Sequence, residues 1–178
     1  MALLACLGCG GKKPPVKGAS EQTPEKKPAG PPQVVNLLRG SVYYANTKND
    51  PLFKIFFESG QASMTPEAPA GDSAGVFKGV SGMIFQGTKT ASKFRADTGQ
   101  GDQKSQILTL SDHVVVTSAD PEATMQCDRM VYDGKKKLIR AIGNVRVTGT
   151  MSTQDAIKEL WATPDLKKIA TPEMFAQP

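Results

Sequence analysis

Few residues in this sequence have a side chain and a spacing that would support catalysis or metal binding. The sequence contains one histidine, His113, and three cysteines, Cys6, Cys9 and Cys127. A zinc ribbon needs close pairs of ligands, and a catalytic histidine needs a nucleophile or an acid partner. Neither His113 nor Cys127 lies in such a motif. We therefore expect an exposed or structurally satisfied histidine, a small buried cysteine, no catalytic residues, no metal and no cofactor.

Four aspartates recur with a regular spacing. Asp97 and Asp128 are 31 residues apart, and so are Asp102 and Asp133. Carboxylates can bind Ca²⁺, but Asp133 is followed by Gly134. This Asp-Gly pair predicts a two-residue hairpin turn, because both residues tolerate positive φ. Turns therefore explain Asp102 and Asp133, and we do not expect a calcium site.

The same offset of 31 relates the apolar residues around these aspartates, which indicates the elements that position them. Within each half, apolar residues alternate with polar ones, as in a strand with one apolar face. A period near 30 with strand–turn–strand content is typical of a stacked β architecture. At this offset Leu108, Leu110, Val114 and Val116 align with Ile139, Ala141, Val145 and Val147, in that order. Asp112-His113 aligns with Gly143-Asn144.

The beginning of the chain has a different composition. Residues 1–11 are apolar and small and resemble the end of a bacterial lipoprotein signal, in which a lipid-modified cysteine follows a small residue. Cys9 fits this role best, and Cys6 is the alternative. Because no Lys or Arg precedes the apolar stretch, we expect the start codon to lie upstream. Residues 12–33 contain six prolines and few large apolar residues, which predicts a disordered linker.

The positive charge of the chain does not indicate nucleic-acid binding. The net charge is +5, from 22 Lys+Arg and 17 Asp+Glu. Five lysines and two glutamates of this total lie between residues 12 and 27. A nucleic-acid-binding protein concentrates basic residues on its folded body. Here the linker carries most of the excess, so we expect no nucleic-acid partner.

The last repeat resembles a known family. The run 125–148 contains Tyr132-Asp133 and Gly143-Asn144-Val145. It resembles the OstA/LptA/LptC repeat, which reads loosely A-x-x-a-x-Y-d-x-x-x-x-x-l-x-a-x-G-n-V-x-v. Residues 53–60 are similar to the first repeat of LptC, and the resemblance covers about residues 45–150. It implies an all-β fold over residues 34–150, an open V-shaped β-jellyroll with an apolar interior.

The resemblance also implies a function. Proteins of this family relay lipopolysaccharide from an inner-membrane ABC transporter, whose permease has a periplasmic domain, to a periplasmic bridge protein of the LptA type. LptC usually has an N-terminal transmembrane helix, whereas this chain starts like a lipoprotein. We therefore expect a periplasmic protein held at the inner membrane by a lipid anchor. The alternative is a β-repeat lipoprotein scaffold that assembles edge to edge and binds no lipid.

The alternating residues of the repeat are the candidates for lipid contact. An apolar groove and an ordinary sandwich core both need apolar residues at every second position, so the pattern alone leaves both open. The resemblance favours a groove that binds the acyl chains of lipopolysaccharide. The predicted groove wall consists of Phe94, Leu108, Leu110, Val114, Val116, Met125, Ile139, Val145 and Val147.

An open jellyroll has two free edges, which are candidate docking sites for added strands. We expect one edge at 42–45, which by resemblance would meet the transporter. The other, which would meet the bridge protein, is predicted at Gly143, Asn144, Val145, Arg146 and Val147, unless residues after 150 cover it. Residues 151–178 are predicted to form a short helical or irregular tail. The helix signs are a capping pattern at 152–155 and one shared helical face for Ile157, Leu160 and Trp161.

Overall fold

The computed structural model describes residues 33–64, 74–120, 123–149 and 153–175. The predicted anchor with Cys6 and Cys9, and all of the predicted linker except Gln33, lie outside this part of the chain. The nine described strands pair antiparallel in one open sheet, in chain order. They are β1 (Gln33–Ala45), β2 (Pro51–Met64), β3 (Ala74–Gln86), β4 (Lys89–Asp102), β5 (Ile107–Ser118), β6 (Ala123–Asp133), β7 (Leu138–Gly149), β8 (Thr153–Ala162) and β9 (Ile169–Ala170). A short helix, α1 (Pro172–Phe175), follows β9. The prediction of an all-β open jellyroll is confirmed.

A line of β-bulges crosses the middle of the sheet. The pairing register shifts at 95–98 in β4, 111–114 in β5, 126–129 in β6 and 142–145 in β7. On this line φ is positive at Asp112 (65°), His113 (49°), Gly143 (77°) and Asn144 (46°). Bulges bend a strand and increase its twist. The strands therefore fold back at this line, which passes through the Asp112-His113 and Gly143-Asn144 pairs that the repeat aligns.

The bend divides the sheet into two arms. Arm A contains the strand halves that end at Ala45, Ser118 and Gly149, and arm B contains those that end at Asp102, Asp133 and Ala162. Side chains of the two arms meet, although the strands concerned are not neighbours in the sheet. We call the line along which the end turns of the two arms meet the seam.

Three contacts define the seam. Gln103 Nε2 in arm B donates a hydrogen bond to the carbonyl oxygen of Ala45 in arm A. A Cβ at Gly101 would lie 2.5 Å from the hydroxyl oxygen of Tyr44, so only glycine leaves room for this ring. At the other end of the seam, Ser118 Oγ donates to the carbonyl oxygen of Asp165 at 3.1 Å. The seam is therefore closed in this structure.

The residues between the arms form one contiguous core to which every strand from β1 to β8 contributes. The burial pattern explains how the core follows the bend. Inward-facing buried residues lie two apart along a strand, but Cys127 and Met130 are three apart and Ala141 and Val145 are four apart. Each irregular step falls on the bulge line. The bulges thus keep the apolar side chains on one face while the sheet folds.

The hairpin turns differ from the predicted two-residue turn. Asp133 pairs with Leu138, so the turn contains residues 134–137, and the positive φ belongs to Lys137 (52°). Asp133 Oδ1 accepts hydrogen bonds from the backbone nitrogens of Lys135 and Lys136, both at 3.0 Å. The turn 103–106 is built in the same way, with Asp102 as the acceptor and Gln106 at φ 62°. A side-chain carboxylate therefore closes each turn.

Two predictions about the C-terminal part were wrong. Residues 153–162 form strand β8, where the sequence predicts the start of a helix, and the described helix contains only Pro172–Phe175. β8 pairs with β7, so Gly143, Asn144, Val145, Arg146 and Val147 lie in an interior strand and not at an edge. If β7 were an edge strand, its unpaired carbonyl and amide groups would be free to hydrogen-bond with an added strand such as β8. The alternative, in which residues after 150 cover this edge, is correct.

Candidate lipid-binding inner face

All nine predicted groove residues face the space between the two arms. Their exposed fractions run from 0% for Leu108, Leu110 and Met125 to 9% for Val147. They belong to the same core cluster. They lie on four strands, β4 to β7, and pair across them, for example Phe94 with Val116 and Met125 with Val147. The structure thus brings the predicted set together on one apolar surface, which we call the inner face.

The inner face is packed against itself in this structure. Phe53 of arm A contacts Tyr132 of arm B with ring centroids 6.2 Å apart, and Tyr44 stacks on Phe53 at 4.5 Å. Leu52 lies 3.3 Å from the position of a Cβ at Gly134 on the opposite arm. An acyl chain therefore reaches the inner face only if the arms separate or if it enters at an end. The role of the nine residues in lipid contact stays a prediction.

The inner face continues to both ends of the sheet. Leu37 and Val42 in β1, and Ile157 in β8, are half-buried and pack on the core. The predicted wall includes none of these three residues. The alternation of β1 could have indicated Val42, whereas Ile157 was assigned to a helix. With them, the apolar surface extends without interruption from the first strand to the eighth.

Two tyrosines lie beneath the seam, and the predicted groove wall includes neither of them. Tyr44 and Tyr132 are 2% and 1% exposed. Burial raises the pKa of Tyr132 to about 12, with a smaller contribution from the Asp133 carboxylate. Burial also raises the pKa of Tyr44. Both buried rings add to the apolar surface.

The outer face carries the polar residues of the bulge line. His113 Nδ1 lies 2.7 Å from Asp97 Oδ2, and Asn144 Nδ2 donates to Asp128 Oδ2 at 2.8 Å. These pairs are 31 residues apart and equivalent by the repeat. The hydrogen bond from Asp97 and its charge raise the pKa of His113 above 6.5. Because an asparagine replaces the histidine in the second pair, the arrangement needs only a donor, which indicates a structural role.

A shallow depression of about 690 Å³ opens on this outer face, lined by residues that include Arg95, His113, Gln126 and Asn144. Its lining also includes apolar residues of the core, among them Ala96 and Val114, so it is not a purely polar site. Within the described residues, no group of His, Cys, Asp and Glu is arranged to hold a metal ion. Burial raises the pKa of the Cys127 thiol to about 11, so this thiol is protonated near neutral pH.

The fold and the inner face define an open β-jellyroll with a continuous apolar interior. The family model of LptC-related lipopolysaccharide-assembly proteins matches residues 69–159. This range is just over half of the chain, and the protein belongs to this family. A search of curated proteins finds no match. None of the helices in the described part of the chain is long and apolar enough to span a membrane.

Proposed function

We propose that this protein binds lipopolysaccharide on its inner face and relays it across the periplasm, from an inner-membrane ABC transporter to a bridge protein of the LptA type. Membership of the LptC-related lipopolysaccharide-assembly family supports the role in transport. The observation that carries the proposal is the inner face itself, which is apolar from β1 to β8.

The physical requirement is to keep acyl chains out of water. Each CH₂ group removed from water stabilises the bound state by about 0.8 kcal/mol. A lipid with several chains therefore cannot cross an aqueous compartment unaided. A surface that stays apolar from Leu37 at one end to Ile157 at the other offers equivalent positions along its length. A lipid can then move along it without leaving an apolar environment.

Opening of the closed seam is one of the two routes by which an acyl chain can reach the inner face. One buried group favours opening: Ser92 Oγ is fully buried and has no hydrogen-bond partner in the described part of the chain. Ser92 pairs with Ser118 at the seam. A buried hydroxyl without a partner costs about 1–3 kcal/mol, which is regained when the group meets water or a lipid oxygen. The closed state is therefore less stable than its apolar contacts alone imply.

The test is site-specific photocrosslinking with matched controls. A benzophenone amino acid is placed at Val147 or at Leu37, both on the inner face. The controls are the preceding residue on β1, Asn36, and the following residue on β7, Thr148, which are exposed. Purified lipopolysaccharide is added to the full chain, irradiated and analysed by gel shift. We expect crosslinks at Val147 and Leu37 and none at Asn36 or Thr148.

Circular dichroism and urea unfolding establish that each variant is folded before irradiation. Equal labelling of inner and outer positions would show nonspecific association. Absence of crosslinks at both inner positions in folded protein would show a permanently closed core. Either result would contradict lipid binding on the inner face.

The two ends of the sheet are the proposed docking sites. Among the described strands, β1 pairs with β2 alone, and its exposed side chains include Leu38 (85%) and Val34 (67%). Because added strands use the free amide and carbonyl groups of an edge, β1 is our candidate for the transporter's periplasmic domain. At the other end of the sheet, β9 pairs with Trp161 and Ala162 of β8, and residues 153–160 of β8 take the place of the predicted edge at 143–147 as candidate for the bridge protein. Leu38→Asp should weaken capture of the transporter domain at least tenfold, whereas unchanged capture would contradict docking at this edge.

We further propose that the chain is anchored to the inner membrane through Cys9, or alternatively Cys6. One acyl chain gives marginal membrane binding, whereas several give stable binding. Mass spectrometry of protein purified from membranes should detect acylation of the cysteine-containing N-terminal peptide. Recovery of an unacylated peptide with a membrane-bound protein would contradict the lipid anchor.

The alternative function is an edge-to-edge scaffold. The exposed apolar side chains of β1 favour it, since an exposed edge strand also pairs with other copies of itself. The two functions differ in a simple measurement. Concentration-dependent polymers without lipid, together with no crosslinking at Val147, would support the scaffold.

A further inference from the structure

Five lysines lie in three turns that meet on the seam, and neither the fold nor the proposed acyl-chain site requires them. We propose that these lysines bind the phosphate groups of the lipid headgroup while the acyl chains occupy the inner face. This inference rests on the proposed function and adds the polar half of the ligand to it. The five residues are Lys48, Lys104, Lys135, Lys136 and Lys137.

Contacts between three turns place the lysines on one line. Gln103 in turn 103–106 donates to the Ala45 carbonyl, next to turn 46–50. The backbone nitrogen of Gly134 in turn 134–137 donates to the Gln106 carbonyl at 2.9 Å. The three turns are therefore adjacent, and Lys48 lies in the turn of arm A that meets the two turns of arm B carrying the other four lysines. All five lysines are exposed.

The aspartates of these turns are used within the turns. Asp50 Oδ2 accepts from Asn46 Nδ2 at 2.9 Å, and Asp102 Oδ1 accepts from the Ser105 nitrogen at 2.8 Å. The structure shows one ion pair for the five lysines among its described residues, a long one of 3.9 Å between Lys136 and Asp133. The other four lysines are exposed, and their ammonium groups have no counter-charge at hydrogen-bond distance in the part of the chain that the structure describes. The seam is thus a basic strip with unused donors.

The repeat provides an internal control for what the turn needs. Turn 103–106 reads Gln-Lys-Ser-Gln, and turn 134–137 reads Gly-Lys-Lys-Lys. Both are closed by an aspartate at the preceding position, and both have a positive φ at their last residue. The first turn forms with one lysine. The second turn therefore does not need three lysines to form. Its last residue, Lys137, has a positive φ, which Gly or Asn adopts more easily than Lys.

The position of the strip matches the geometry of an amphipathic ligand. Acyl chains between the arms leave the headgroup where the inner face meets water, and the seam is such a boundary. Lysine is a compact cation that binds phosphate oxygens as a point charge. A row of lysines on both sides of the seam can contact a headgroup with more than one phosphate. The chemistry that the strip recognises is therefore a phosphorylated lipid headgroup.

The test compares two triple variants of the full chain that lose the same charge. The seam variant is Lys135→Gln, Lys136→Gln and Lys137→Gln. The control variant is Lys78→Gln, Arg129→Gln and Lys158→Gln, which changes exposed basic residues in the middle of strands, away from the seam. The probes are fluorescent lipid A with its phosphates, the same lipid after removal of the phosphates, and inorganic phosphate alone.

We expect the seam variant to bind phosphorylated lipid A about tenfold more weakly than the wild-type chain, as three exposed charge pairs would give. The control variant should bind within twofold of wild type. Raising the salt concentration should reduce the difference, because exposed charges are screened. Dephosphorylated lipid should bind the wild type and the seam variant equally.

Other outcomes separate this inference from the proposed function. Wild-type protein that binds neither lipid would contradict the proposed function. Wild-type protein that binds both lipids, with equal affinities for the seam and control variants, would overturn the headgroup site alone. If inorganic phosphate binds the wild-type chain and its binding is lost in the seam variant while lipid binding is unchanged, the strip is a free-phosphate site and this proposal is wrong.

Discussion

Leu166 is the residue whose replacement tests most directly whether the two arms are held closed. It is 4% exposed, belongs to the core and lies in the loop 163–168 that follows β8 on arm B. The loop is fixed by hydrogen bonds from the Leu166 nitrogen to the Thr163 carbonyl at 2.9 Å and from Ser118 Oγ to the Asp165 carbonyl at 3.1 Å. Leu166 thus inserts into the core from a loop that crosses the seam.

The expected cost of Leu166→Ala follows from this burial. Replacing a buried leucine by alanine destabilises proteins by about 2–5 kcal/mol, depending on how well the cavity collapses. A loop can collapse more easily than a strand, so we expect about 3 kcal/mol. This value is less than the roughly 5–15 kcal/mol by which domains are usually stable, so the variant should remain folded. Its equilibrium constant for unfolding should rise about a hundredfold.

Urea unfolding of the full chain measures this change, provided that the m-values of the variant and the wild type agree. Met174→Ala is the matched control, because Met174 is 65% exposed and follows the same loop. A loss below about 1 kcal/mol for Leu166→Ala would refute the packing argument, since surface substitutions usually change stability by about 0.5 kcal/mol or less. If the seam must open for loading, Leu166→Ala should also take up fluorescent lipopolysaccharide faster than Met174→Ala does.

Three further predictions concern the bulge line. His113→Asn should remove a contribution to stability that is present below pH 6.5 and is lost as the pH rises through the raised pKa of His113. The free energy of unfolding of the variant should therefore depend less on pH between 5 and 8 than that of the wild type. An unchanged pH profile would show that the Asp97 contact is unimportant. Gly143→Ala should destabilise the protein by about 1–3 kcal/mol in urea unfolding, because φ is +77° and the new Cβ would lie 2.5 Å from Asp128 Oδ2; wild-type stability would contradict the required positive φ. Cys127 should react slowly with iodoacetamide at pH 8 in native protein and rapidly in urea, as read from its peptide by mass spectrometry, because burial raises its pKa to about 11; rapid native labelling would show an accessible thiol.

The sequence predicted a helix where the structure has β8, and this error has a specific physical cause. Ile157 and Leu160 are three residues apart, a spacing that two residues on one face of a helix also have. In this fold the same spacing occurs where a strand crosses the bulge line, as between Cys127 and Met130 in β6. The local pattern cannot distinguish the two. The hydrogen-bonding groups of β7, which are unpaired without β8, decide in favour of the strand.

The sequence by itself determined the strands of the repeat, the positions of its bends and nine residues of the inner face. Alternating apolar residues specify one buried face of a strand, and the Asp112-His113 and Gly143-Asn144 pairs mark the places where the backbone bends. These are local properties of short segments, and the 31-residue repeat shows them twice.

Only the tertiary structure decided which edge is free, how the arms close and which turns meet. Closure depends on contacts between residues far apart in the chain, such as Tyr44 with Gly101 and Ser118 with Asp165. The lysines of three separate turns become one basic strip only after the sheet has folded on itself. No local pattern contains this information, because it arises from the packing of two apolar surfaces against each other.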